Sequence, residues 1–220
     1  RGHPVSPKGN DMQGTDSSTD SRPDVPADPR DVLAGLGADG GAFALLYRPG
    51  SEPDARVEVL TGEAEAVDGL AGLPLPGEGG DGARHDLLVA VPYRQITERG
   101  FACRDDRAPL LAMRVAEQTA LGRDEALAAL PEQDVRVEGA GFDIGDDDYA
   151  GIVERVLREE IGRGAGSNFV IRRSFTARLE DCSLRTRLAV FRRLLTGELG
   201  SHWTFLFHTG TTTFVGASPE

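Results

Sequence analysis

Residues 146–161 carry the pattern that most narrows what this chain can fold into. Tyr149, Ile152, Val153, Val156, Leu157 and Ile161 fall at the i, i+3, i+4, i+7 spacing of one helix face. Asp146, Asp147 and Asp148 at the start suit the free amides and the positive end of a helix dipole. Gly162, Gly164 and Gly166 then end the helix, and an apolar stretch, NFVIRRSF, follows at 168–175. Val170, Ile171 and Phe175 read there as a strand, with Asn168 at its mouth.

Helices interspersed with strands recur along the chain. A short helix is expected at 31–36. AFALLY (42–47) and RVEVL (56–60) read as two strands joined through a proline-containing turn at 49–53. The proline- and glycine-rich stretch 73–83 reads as an exposed loop. DLLVAV (86–91) is a continuous apolar strand, expected to be buried on both faces and stopped by Pro92. Another short strand is expected at 110–115, a helix at 123–130 ended by Pro131, and one more strand at 135–138. Ser183 is placed to cap a second amphipathic helix, with Leu184, Leu188, Phe191, Leu194 and Leu195 on its buried face. Residues 203–208 and 212–217 close as a hairpin around Thr209, Gly210 and Thr211. Tight turns between strands, with helices among them, point to an α+β fold with a largely antiparallel sheet. The first residues are mostly Gly, Pro, Ser, Asp and Thr, which cannot offset the entropy of ordering. Residues 1–38 are therefore expected to be a disordered tail and 39–220 the folded part.

Charge and motif spacing exclude several functions. With 24 basic against 36 acidic residues and no basic stripe interleaved with aromatics, a general nucleic-acid binder is disfavoured. Cys103 and Cys182 lie far apart without CxxC spacing, so neither a zinc site nor a disulfide framework is indicated. Buried or half-buried free thiols are expected instead, which fits a reducing cytoplasm. No apolar run reaches the roughly 18 residues a membrane helix needs. The glycines at 162–166 follow a helix and precede a strand, the reverse of the order a phosphate cradle requires. Ser174 and Ser218 lack a GxSxG elbow, and His85, His202 and His208 are not at metal-ligand spacing. Taken alone, Asn168 reads as a turn residue, Arg172 and Arg173 as the solvated face of a strand, and Glu220 as nothing in particular. Composition and spacing reach an α+β domain and stop there.

Longer blocks say more. DDDYAGIVERVLREEIGRGAG, then SNFVIRRSF, then HTGTTTFVGASPE resemble the chorismate-binding enzymes, the anthranilate, aminodeoxychorismate, isochorismate and salicylate synthases. PYRQITERGFACRDDRAPLL and GAGFDIGDDDYAGIV look closest to the phenazine-pathway 2-amino-2-deoxyisochorismate synthases, whose chorismate domain is joined to a glutamine amidotransferase. The likeness runs from about Gly41 to Glu220.

The resemblance implies a largely antiparallel β-sandwich flanked by helices, incomplete in this chain. It also implies a magnesium-dependent reaction in which a nucleophile attacks one ring carbon of chorismate while a hydroxyl leaves from another. Hydroxide is a poor leaving group, so a general acid must protonate it. The family's acid is the glutamate that closes the SPE motif, here Glu220. The residue beside the incoming nucleophile matches Asn168. Water-using members carry there a lysine that deprotonates water, whereas this chain's single lysine is Lys8, in the tail. Ammonia has its lone pair free and needs no base, so the resemblance favours amination with ammonia from a fused or separate amidotransferase. The product would be 2-amino-2-deoxyisochorismate, or anthranilate if pyruvate is then eliminated; a non-catalytic binding subunit is the third reading. Leu45, Leu46, Tyr47 and Arg48 stand where tryptophan-regulated members show an LLES-type motif, so tryptophan feedback is not expected. The family's magnesium ligands lie after SPE. The expectation is thus the N-terminal half of a chorismate domain, with no metal ligands of its own, inactive by itself and homodimeric when complete.

Overall fold

The computed structural model describes residues 28–37, 40–49, 55–75, 84–198 and 203–218. The expected tail, apart from its last part, lies outside these residues, as do His202, Pro219 and Glu220.

Helix α1 (Pro29–Ala34) precedes strands β1 (Ala42–Tyr47), β2 (Arg56–Val67), β3 (Leu87–Ala90) and β4 (Leu110–Gly122). Helix α2 (Arg123–Ala129), strand β5 (Val137–Phe142), helix α3 (Asp146–Glu159) and strand β6 (Phe175–Leu179) follow. Helix α4 (Leu184–Gly197) and strands β7 (Trp203–His208) and β8 (Thr213–Ser218) end the described chain. A six-stranded sheet runs β3-β4-β2-β1-β7-β8, and β5 pairs with β6 in a separate hairpin. All pairings are antiparallel. The class is α+β, as expected.

Strand β1 lies at the centre because AFALLY is apolar on both faces. Phe43, Leu45 and Tyr47 point to one side, where Leu188, Phe191 and Leu195 of α4 and Ala126 of α2 cover them. Ala42 and Ala44 point to the other side, beside Leu60, Met113 and Phe207. Ser183 caps α4 as expected, its side chain accepting from the Thr186 amide.

Strand β4 extends well past the expected 110–115. The register pairs Thr61 with Glu117 and Gly62 with Val115, leaving Ala116 without a partner. This bulge inverts the alternation, so Met113 packs on the helix-free face and Leu121 on the helix-covered one. Gly62 is required opposite it, since a Cβ there would lie 1.9 Å from the Arg114 carbonyl oxygen.

Several expectations are corrected, among them that of buried or half-buried cysteines, since Cys103 is half-buried but Cys182 is exposed. DLLVAV does not form a strand buried on both faces: β3 is an edge strand, half-buried throughout. Residues 168–174 form no strand either. The ladder begins at Phe175, opposite Phe142, and past it a single backbone bond, from the Asp143 amide to the Ser174 carbonyl, continues the pairing. Helix α3 forms where its periodicity places it, yet none of its residues is buried, and Leu157 and Ile161 are exposed. Its N-cap is Gly145, so the three aspartates occupy the first turn rather than the cap position.

His208 closes the helix-covered core at the end of β7. Its ring lies 5.2 Å from that of Phe43, its Nδ1 lies 2.9 Å from Thr213 Oγ1, and Arg187 donates to the same hydroxyl at 3.0 Å. Burial, and then the nearby Arg187 charge, hold its pKa below the ordinary 6.5, against a smaller opposing effect from the Thr212 backbone. The folded state therefore keeps His208 neutral in a range where the unfolded chain binds a proton, and stability falls as pH drops below 6.5. Urea midpoints measured across that range should show this acid-side loss in the wild type and a weaker one in His208→Gln.

Candidate functional site

The expected site segment, 168–174, is fixed mainly by side chains, with one backbone bond at Ser174, rather than by a strand ladder. Four residues from the end of β5 and the start of α3 form a socket for it. The Tyr149 hydroxyl donates to the Ile171 carbonyl at 2.7 Å. Asp143 accepts from the Ser174 amide at 2.8 Å, and its own amide donates to the Ser174 carbonyl at 2.9 Å. Arg173 pairs with Asp146 while its guanidinium lies 3.9 Å from the centroid of Phe142 and 4.8 Å from that of Tyr149. A cation over two ring faces with a carboxylate beside it gains more than a solvated arginine could. Phe142 in turn meets Phe175 edge-on at 5.1 Å. Upstream, Gly164 adopts a left-handed φ of 76° where the chain leaves α3.

Asn168 lies on this segment and is exposed. Glu220 lies outside the described residues. Sequence reading missed the socket: Tyr149 was expected in an apolar helix face, Asp146 among the residues capping the helix, and Arg173 on a solvated strand face. Acid and aromatic residues around a helix start have ordinary local uses, so no pattern in the sequence ties them to Arg173.

The helix-free face of the six-stranded sheet carries a second feature, a largely apolar cavity of about 780 Å³. Leu46, Leu88, Phe205, Phe207 and Phe214 line it, with Arg48, His85 and Trp203 among the other lining residues. Glu58 accepts from Arg48 at 2.8 Å and lies 3.4 Å from His85 Nε2, and Arg48 sits 5.4 Å from the Trp203 ring centroid. Asn168 does not line this cavity. Among the described residues, no group of three or more His, Cys, Asp or Glu is placed to hold a metal ion. No described helix is long and apolar enough to cross a membrane.

No family model matches the chain. Comparison with curated proteins gives 46% identity over 178 residues to the phenazine-specific anthranilate synthase of Pseudomonas chlororaphis, and the same identity over the same length to that of Pseudomonas fluorescens. This chain is a relative of one segment of the phenazine-specific anthranilate synthases. The match takes in 81% of this chain and 28% of the length of each relative. A likeness of that extent agrees with the resemblance to chorismate-binding enzymes read from the SNFVIRRSF and FVGASPE blocks.

Proposed function

We propose that this chain is the N-terminal part of an enzyme that aminates chorismate to 2-amino-2-deoxyisochorismate in phenazine-type metabolism. The observation that carries this is the 46% identity to the two phenazine-specific synthases. Ammonia from a fused or separate glutamine amidotransferase attacks one ring carbon, and Glu220 protonates the hydroxyl that leaves from another. Asn168 hydrogen-bonds to the ammonia without taking its proton. Magnesium, when bound, would hold the substrate carboxylate. Its ligands are proposed to come from the C-terminal half of the complete chorismate domain. The complete protein is proposed to be a cytoplasmic homodimer. Exposed apolar side chains such as Val170, Tyr93 and Phe101 support the reading that further polypeptide packs on this part.

That the relatives are named anthranilate synthases favours a second reading, in which amination is followed by loss of pyruvate to give anthranilate. One experiment separates these from hydration. The complete protein is given chorismate, magnesium and isotope-labelled ammonium, and the product is weighed. Label in a product that keeps its enolpyruvyl side chain supports the first reading, and labelled anthranilate supports the second. Unlabelled isochorismate overturns both. Under the same conditions Asn168→Lys should lower ammonium-dependent turnover by about tenfold or more, because a lysine there competes for the nucleophile's position. Unchanged turnover would remove Asn168 from its role.

A further inference from the structure

We infer that Tyr149 and Arg173 are positioning residues for Asn168, and that the socket around them sets where the nucleophile-side segment stands. This rests on the proposed role of Asn168. A backbone without ladder partners wanders unless something else holds it. From 168 to 174 the holding groups come from outside the segment: the Tyr149 hydroxyl on the Ile171 carbonyl, Asp143 on the Ser174 amide, and Asp146 with the Phe142 and Tyr149 rings on Arg173. Ile171 is the anchored position nearest Asn168 on its C-terminal side, as Ala165, whose amide donates to the Glu160 carbonyl, is on the other. The Tyr149 hydrogen bond is thus the constraint that reaches the segment from the socket. Tyr149 lies in the first turns of α3, away from the helix-covered core of the six-stranded sheet. Losing its hydroxyl therefore loosens the segment without opening that core.

Tyr149→Phe is the informative variant, because the ring stays for Arg173 to stack on and only the hydroxyl is removed. In the complete protein, backbone order parameters at 168–171 should fall while those of the six-stranded sheet do not change. The KM for ammonium should rise about tenfold, since a misplacement on the order of 1 Å can cost up to roughly a hundredfold, while the KM for chorismate stays the same. Arg173→Ala, which removes the stacking and the ion pair, should do the same more strongly. In an Asn168→Ala background, Tyr149→Phe should add nothing, because the group it positions is gone.

The inference is overturned if backbone order at 168–171 is unchanged in Tyr149→Phe. It is equally overturned if both KM values rise together, or if the two substitutions multiply. If Asn168→Ala itself leaves the ammonium KM unaltered, the proposed role of Asn168 fails and the positioning role fails with it. That outcome is distinguishable, because lower backbone order at 168–171 in Tyr149→Phe would still show that the hydroxyl restrains the segment.

Discussion

Glu220→Gln should lower the kcat of the complete protein on chorismate by about 10²–10⁴-fold, with little change in the KM for either substrate. The size follows from the leaving group. Hydroxide departs from carbon only with great difficulty, so the proton must arrive as the bond breaks, and general acids typically contribute that range of rate. Glutamine keeps the shape and hydrogen-bonding reach of glutamate but has no proton to give. Substrate binding then survives while the transition state loses its stabilisation, so kcat and kcat/KM should fall together. Steady-state kinetics with saturating ammonium measure this, and an unchanged melting temperature shows that folding is not the cause. A variant that keeps more than about a tenth of wild-type kcat would place the acid elsewhere.

The largest effect on folding should come from Phe191→Ala. Phe191 is fully buried in the middle of α4, in the cluster that joins this helix to Phe43, Leu45 and Leu206 on the sheet. Truncating a buried phenylalanine loses its transfer free energy and leaves a cavity, together about 3–5 kcal/mol. Domains are stable by only about 5–15 kcal/mol, so this one change should remove a large fraction of the total. Leu194→Ala, on the same helix at a half-buried position, is the control and should cost clearly less. Urea titrations of both variants in the complete protein test the ranking. Equal losses would mean that α4 is not held to the sheet through Phe191.

Elements whose signals are local were legible in the residues themselves. Strands β1, β7 and β8 stand within a residue of where alternation and turn chemistry put them. Helix α2 stops before Pro131 as expected, α4 buries Leu188, Phe191 and Leu195 of its expected face, and Ser183 caps α4 as its position implied. The family, too, was legible, because several long blocks occur in order and the match covers 81% of the chain. Asn168 and Glu220 were nominated by that resemblance alone; neither apolar periodicity nor charge marks them.

Three things needed the folded chain. Strand β4 runs on to Gly122 because pairing with β2 tolerates one unpaired residue, Ala116, and a bulge erases the alternation by which a strand is read. Residues 168–174, apolar and β-branched enough to pass for a strand, form none because β5 stops at Phe142. The aromatic and acidic groups of Phe142, Asp143, Asp146 and Tyr149 hold that segment instead, across sequence separations that leave no periodic trace. Local backbone preference and hydrophobic period are properties of neighbours in the chain, so the sequence by itself determined most elements and the family. Which strand finds a partner, and which side chains replace that partner where none exists, depends on what distant segments bring alongside, and only the tertiary structure decided it.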